Sequence, residues 1–327
     1  MKSRAVRVHA AGGPEVLSIE TVDVPAPGPG EALVRHTAIG VNLIDIYHRA
    51  STSGQYAIPR PATLGVEAAG VVEAVGADVA DLVPGQRVAY WNLLGAYAER
   101  RLVPAWRLVP IPDAVDDRLA AAALVKGATA FYLLDRIWPA RAGATILVHA
   151  AAGGVGQLLC QWASRLGVTV IGTVGSDAKM EVAREAGCAL VVNYREEDFA
   201  AAARAFTGGA GVDAVFDSIG RDTFDRSLDC LRPVGLMVNF GQASGPVPPL
   251  DVGVLAAKGS VLLAKPTLAT FTKTPADIAA LTQGVFDALA RGLIAPAIGM
   301  TAALDEVRAV HEKMEARATT GATVLIP

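Results

Sequence analysis

Cysteine is scarce in this chain: three among 327 residues, Cys160, Cys188 and Cys230, far apart and forming no Cys-x-x-Cys pair. That leaves no disulfide framework and no cysteine metal motif, and all three are expected to be buried, reduced thiols. Excess charge is lacking too. The formal net charge is −3, the isoelectric point is about 6.0, and no long block carries one sign, so no surface for nucleic acid is advertised. Long apolar runs are missing as well. Alanine inflates the hydrophobic fraction of 52%, and no stretch approaches the roughly 20 residues of a spanning helix. The start, Met1-Lys2-Ser3-Arg4-Ala5-Val6-Arg7-Val8, has no signal-peptide apolar region, so a cytoplasmic protein is expected. The length suffices for two domains with full cores.

What is present is the run Thr145-Ile146-Leu147-Val148-His149-Ala150-Ala151-Ala152-Gly153-Gly154-Val155-Gly156-Gln157. A β-branched apolar stretch feeds a glycine-rich turn, and a helix over 157–166 follows. Strand, tight turn and helix in that order suit a dinucleotide pyrophosphate, because backbone N–H groups and the helix dipole then face an anion. Gly153 and Gly154 permit close backbone approach, and Gly156 permits close packing of helix on strand. Ala151 departs from the fingerprint at its first glycine position. Further strands are expected at 168–173, 189–193, 212–217, 236–240 and 260–264, with helices over 177–186, 196–206 and 222–231. Apolar strands alternating with helices mean a parallel sheet covered on both faces, a doubly wound α/β unit.

The N-terminal part has a different texture. Proline and glycine punctuate short β-type runs at 5–9, 31–39, 70–75 and 87–91, which predicts a compact β-rich domain. Helical stretches at 119–124 and 129–136 are expected to bridge into the nucleotide domain. Amphipathic helices over 275–291 and 304–316 and a strand at 322–326 do not extend the parallel sheet; they fit a return to the first domain. The boundaries predicted are 1–124 with 265–327 for the β-rich domain and 125–264 for the cofactor domain.

These residues resemble the zinc-independent quinone oxidoreductases, zeta-crystallin-like members of the medium-chain dehydrogenase/reductase superfamily, over nearly the whole length. The resemblance is carried by Gly12-Gly13-Pro14-Glu15-Val16-Leu17, Ala38-Ile39-Gly40-Val41-Asn42-Leu43-Ile44-Asp45 and Leu64-Gly65-Val66-Glu67-Ala68-Ala69-Gly70. It continues in the glycine turn, Val192-Asn193-Tyr194-Arg195-Glu196-Glu197-Asp198, Asp217-Ser218-Ile219-Gly220-Arg221-Asp222-Thr223 and Glu315-Ala316-Arg317-Ala318-Thr319. It implies a GroES-like β-rich substrate domain and a Rossmann cofactor domain, with NADPH in the cleft between them. It also implies a homodimer joined through the Rossmann sheet edge, near 261–264. Where zinc-dependent cousins carry ligands this chain has Asn42, Val66 and Lys126, and the closely spaced cysteines of a structural zinc lobe are absent. No metal is expected, which moves the chemistry from alcohol oxidation towards reduction of an electrophilic substrate.

No carboxylate stands at the tip of the second strand, Gly172-Thr173-Val174-Gly175-Ser176, where an NAD site often places one. Ser176 and Lys179 suit a 2′-phosphate instead, with Tyr194 closing the pocket; Asp177 is repulsive there if it turns inward. The resemblance implies cofactor contacts at Lys179, Tyr194 and Arg317, and others at Asn42, Thr129, Gly153, Gly154, Val155, Gly156, Gly175, Ser218, Phe240 and Gly241. Asn42 and Tyr47 are the candidate catalytic residues, since an amide and a phenol can hydrogen-bond a carbonyl whose charge is building. Asp45 and Tyr56 are candidates for substrate contact, and the loop Ala50-Ser51-Thr52-Ser53-Gly54-Gln55-Tyr56 is longer than the family's. His48 is a weaker candidate for a proton donor. The expected activity is NADPH-dependent reduction of a quinone by electron or hydride transfer. Alternatives are reduction of the double bond of an enone or alkenal, and non-enzymatic binding of NADPH or RNA, the last disfavoured by the missing basic patch.

Overall fold

The computed structural model describes residues 1–327. The chain divides into two compact units. The first comprises Met1–Val125, Thr272–Phe286 and Pro296–Pro327, and the second Lys126–Phe271 and Asp287–Ala295.

The first unit opens with β1 (Lys2–Val8), β2 (Ser18–Asp23), β3 (Glu31–Val41), helix α1 (Leu43–Ala50), β4 (Ala62–Thr63), β5 (Glu67–Val75), β6 (Arg87–Trp91), β7 (Arg100–Pro104) and β8 (Val109–Pro110). A small sheet runs β2-β1-β4. Strand β3 is the hub of a larger sheet, pairing antiparallel with β5 over 32–40 and with β7 over 31–35. Its core gathers Val6, Val34, Ile39, Leu64 and Tyr97. Short strands between Pro and Gly turns thus bury one shared apolar face, as the punctuation of the sequence implies.

Helix α2 (Asp117–Tyr132) is continuous and runs on into a π turn at Leu133–Ile137. The sequence suggested two stretches there. Gly127 does not break the helix, because the surrounding alanines are buried and packing outweighs glycine's propensity cost of about 1 kcal/mol.

The second unit carries β9 (Thr145–Val148), α3 (Gly154–Arg165), β10 (Thr169–Val174), α4 (Met180–Glu185), β11 (Leu190–Asn193), α5 (Phe199–Phe206), β12 (Val212–Asp217), α6 (Phe224–Cys230), β13 (Leu231–Asn239), α7 (Gly253–Ala257) and β14 (Leu262–Ala264). The six strands form one parallel sheet in the order β11-β10-β9-β12-β13-β14. Ile146, Leu147 and Val148 have no exposed surface, as expected for a strand covered on both faces. The order reverses between β9 and β12, the switch point where such sheets take ligands beyond the strands' carboxyl ends.

Four elements close the chain: α8 (Pro275–Ala290), β15 (Ile298–Ala303), α9 (Val307–Glu315) and β16 (Ala322–Ile326). Strand β16 pairs antiparallel with β3, and β15 adds outside it. The backbone leaves the second unit after Phe271 rather than after 264, with the Phe271 ring stacked on Tyr132 at 4.7 Å. Residues 287–295 also pack with the second unit, where α3 holds them: Gln161 Oε1 accepts from Ala295 N at 2.7 Å and Arg165 Nη1 donates to Leu293 O at 2.9 Å. No helix is long and apolar enough to cross a membrane.

Candidate active site

In the first unit Asn42 closes β3 and caps α1. Its backbone N–H donates to Asp45 Oδ2 at 2.8 Å and its Nδ2 donates to Glu67 Oε2 at 2.9 Å. Glu67 is wholly buried, and its other oxygen accepts from Val125 N at 2.6 Å. Gly40 makes the room, since a Cβ there would lie 2.4 Å from Glu67 Oε2. With Nδ2 turned to Glu67, the orientation of the Asn42 amide is set. Asp45 corrects the sequence expectation. It has no exposed surface and accepts from Asn42 N and, at 3.0 Å, from the Tyr97 hydroxyl. A buried carboxylate needs such donors, and the capping turn supplies them, so it holds the helix start rather than meeting a substrate.

Tyr47 and Tyr56 do come together, with ring centroids 4.9 Å apart and planes at 48°. Both are partly exposed. Burial raises the Tyr56 phenol above its ordinary pKa, partly offset by Gln55, so it stays a protonated donor at neutral pH. The segment before Tyr56 is anchored by Arg60. Its Nη2 donates to the carbonyls of His48, Arg49 and Ser51 at 2.9, 3.2 and 2.9 Å, satisfying groups that α1 leaves open at its end. His48 is pushed down by burial and stands neutral at pH 7. Arg317 also belongs to the first unit; it lies just past α9 in the left-handed conformation, φ 56°, its N–H donating to Met314 O.

In the second unit the cofactor candidates gather at the carboxyl ends of the strands. Helix α3 starts at Gly154, earlier than the sequence suggested, with Gly153 as its N-cap. The N–H groups of Gly154, Val155 and Gly156 therefore lie in the first helical turn and have no acceptor within the helix. A Cβ on Gly156 would stand 2.1 Å from Ala150 O, so the close packing expected of this glycine is real. Ala151 fits where a glycine was expected because Gly172 faces it; a Cβ on Gly172 would come within 2.9 Å of Ala151 Cβ.

At the end of β10, Gly175 lies under Tyr194, whose hydroxyl would be 3.0 Å from an added Cβ. Ser176 caps the turn that carries Lys179. Asp177 is drawn away from repulsion: its Oδ1 accepts from Asn193 Nδ2 at 2.9 Å. Beyond β12 and β13, Ser218 and Gly241 are in close backbone contact, and Phe240 N donates to Asp217 O at 2.9 Å. Thr129 is buried on α2.

Sequence reasoning missed a buried polar cluster behind this edge. His149 Nδ1 meets Thr173 Oγ1 and its Nε2 meets Ser227 Oγ, both at 2.8 Å. Ser227 spends its proton on Thr223 O at 2.7 Å, so His149 donates through Nε2. Burial keeps His149 neutral. Asp217 Oδ1 accepts from Ile219 N, Gly220 N and the Thr223 hydroxyl, while Lys265 Nζ donates to Asn239 Oδ1 at 2.5 Å. One signal was available: His149, Asp217 and Asn239 are polar residues at or just past the ends of apolar strands.

The family model described as the alcohol dehydrogenase GroES-like domain matches residues 28–113, and that described as zinc-binding dehydrogenase matches residues 154–283. No three His, Cys, Asp or Glu side chains are grouped to hold a metal. A quinone oxidoreductase of Pseudomonas aeruginosa is 44% identical across 99% of this chain and 100% of its own. A 2-haloacrylate reductase of a Burkholderia species is 42% identical across 99% of this chain and 98% of its own. The crystal structure of Escherichia coli quinone oxidoreductase complexed with NADPH superposes with a TM-score of 0.95 at 39% identity, covering 99% of this chain and all of that one.

Proposed function

The chain belongs to the quinone oxidoreductases of the medium-chain dehydrogenase/reductase superfamily, and from that premise we propose that it reduces quinones with NADPH. Full-length likeness at 44% identity carries the reading. The residues present fit the cofactor. Gly153, Gly154 and Gly156 leave no side chain between the first turn of α3 and a pyrophosphate, and the tip of β10 offers Ser176 and Lys179 with Asp177 tied to Asn193. When bound, NADPH supplies the reducing equivalents from its dihydronicotinamide ring. Everything else is left to the chain. The N–H groups at the start of α3 hold the diphosphate. Lys179, with Ser176 and Tyr194, receives the 2′-phosphate, and Arg317 stays a cofactor contact proposed for the first unit. Thr129, Ser218, Phe240 and Gly241 complete the cofactor contacts. Tyr47 donates to the substrate oxygen as negative charge grows there, Asn42 orients the reacting partners, and Tyr56 packs against Tyr47 as a wall.

Residue types support catalysis without zinc: an amide already committed to Glu67 at Asn42, a buried Val66 and the cation of Lys126. Activity is expected to survive exhaustive chelation, and a stoichiometric zinc lost together with activity would refute this. The 42% identity to a 2-haloacrylate reductase favours a second reading, reduction of a double bond conjugated to a carboxylate or carbonyl. Steady-state oxidation of NADPH and NADH against a panel of quinones, enones and 2-haloacrylates decides between them. The quinone reading predicts the highest kcat/KM with a quinone and NADPH, and it falls if only the alkenes react.

A homodimer through β14 also belongs to this reading. This edge strand exposes Leu262 (54%) and Leu263 (40%), and Val234 and Val252 of the same unit are exposed at 58% and 75%. An open apolar edge is a template for a second copy.

A further inference from the structure

Helix α1 carries two buried charges on one face, Asp45 and Arg49, with 0% and 1% exposure. They are four residues apart, one above the other on the helix surface. What joins them is a path through two neutral side chains. Arg49 Nη1 lies 3.0 Å from His311 Nδ1, His311 Nε2 lies 3.1 Å from the Tyr97 hydroxyl, and that hydroxyl lies 3.0 Å from Asp45 Oδ2.

The proton positions follow from the donors available. A guanidinium only donates, so His311 Nδ1 accepts and its single N–H sits on Nε2. That N–H donates to Tyr97, whose own proton is then directed at Asp45. All three bonds run in one sense, from cation to carboxylate, and the ring begins and ends on α1. Asp45 passes the constraint on by accepting from Asn42 N at 2.8 Å. The anchors are rigid. A Cβ on Gly65 would stand 2.2 Å from the Tyr97 ring, and Arg49 also donates to Gly12 O and pairs with Glu315 of α9. Burial pushes His311 down to about 3, consistent with the neutral form this path needs.

Tyr47 is two positions from each charge, about half a turn round the helix and so on the opposite face. A helix pinned along one side at both ends cannot rotate about its axis. We propose that the Arg49–His311–Tyr97–Asp45 ring sets the rotation of α1, making Tyr97 and His311 positioning residues for the reduction, acting through Asn42 and Tyr47. This rests on the roles given to Asn42 and Tyr47 above. Packing alone does not call for such a ring, because hydrophobic side chains of similar size usually stabilise a core as well as a buried ion pair does.

The test is Tyr97→Phe, which removes one oxygen from the middle of the ring. With NADPH and the best quinone, kcat is expected to fall about tenfold, as for loss of one hydrogen bond at a reacting group, while the Kd for NADPH stays within about twofold. Combined with Tyr47→Phe, the losses are expected not to multiply, since both act on the same group. His311→Gln keeps one acceptor and one donor and is expected to recover most of the turnover that His311→Leu loses; this pair carries the comparison should Tyr97→Phe not fold. A lowered Tm with unchanged kcat, or losses that multiply, would overturn the proposal. Hydrogen exchange separates it from the substrate reading. If the parent protein reduces no quinone or conjugated alkene, that reading fails, yet faster exchange over 42–50 in Tyr97→Phe still supports the ring and unchanged exchange there overturns it.

Discussion

Lys179 bears the cofactor preference in this reading, and the carboxylate nearest to it in sequence is turned elsewhere. The carboxylate that follows the β10 tip, Asp177, is held by Asn193 Nδ2, so it does not meet a 2′-phosphate beside Lys179. Lys179→Ala is expected to weaken NADPH binding about ten- to hundredfold, the loss of a charge-assisted contact worth roughly 1.5–3 kcal/mol, and to leave NADH nearly unchanged. Fluorescence titration with both cofactors checks it; equal loss for the two would remove Lys179 from the phosphate site. Tyr47 makes a smaller claim. Its ring keeps its place against Tyr56 in Tyr47→Phe, so only the donor is lost, and kcat/KM for quinones is expected to drop about tenfold with NADPH affinity unaltered. Unchanged kinetics would leave Tyr47 as a wall. The contrast with Asp45 shows what a residue's type conceals. On paper Asn42 and Tyr47 stood as catalytic candidates and Asp45 as a substrate contact, and only three-dimensional packing turns Asp45 inward to the Tyr97 hydroxyl.

Among the elements, α3 gives the sharpest test because its start is fixed by contact with the preceding turn. Gly156→Ala would place a methyl 2.1 Å from Ala150 O, backbone that cannot swing aside, so the first turn of α3 must shift. NADPH affinity is expected to fall at least tenfold with every substrate, read by the same titration, while the displaced helix lowers Tm by a few degrees. At the edge of the sheet, Leu262→Lys on β14 is expected to convert a dimer to monomer in light scattering; a monomeric parent would dismiss that interface. The parallel sheet was legible in the sequence because its strands are continuous apolar runs: β12 occupies 212–217 as read. Helix α1 was not, although Asn42 followed three residues later by Asp45 is a capping signal. Its eight residues are too few for periodicity to show. The amphipathic 304–316 stretch read as one helix begins with a short 3-10 turn at Leu304–Glu306 before α9. Partners distant in sequence, such as Tyr97 with His311, stayed invisible, since nothing local specifies a contact made across 214 residues.

For the molecule as a whole, buried histidines dictate how stability responds to acid. His36 is fully enclosed, 2.6 Å from Ala98 O and 3.0 Å from the Tyr90 hydroxyl, and burial depresses it to about 4. His311 is depressed to about 3 by burial and by Arg49 beside it. His149 is also lowered. Each is neutral in the fold, whereas the unfolded chain protonates its histidines near pH 6.5. The folded state therefore binds fewer protons below that pH. Stability is complete above about pH 7 and is lost progressively as the pH falls from 6.5 towards 4 for His36 and towards 3 for His311. Between pH 7 and 5 the two together remove about 4 kcal/mol, roughly 2 kcal/mol each, where a typical domain is stable by about 5–15 kcal/mol. Paired surface carboxylates such as Glu99 and Asp198 are held below their usual range and stay ionised in this window, so they do not offset the loss. Urea unfolding at fixed protein concentration, at pH 7 and pH 5, measures it. His311→Gln cannot titrate, so it is expected to shrink the difference between the two pH values by about 2 kcal/mol while preserving the bonds to Arg49 and Tyr97. A parent equally stable at both pH values would mean that these imidazoles gain their protons without leaving the fold.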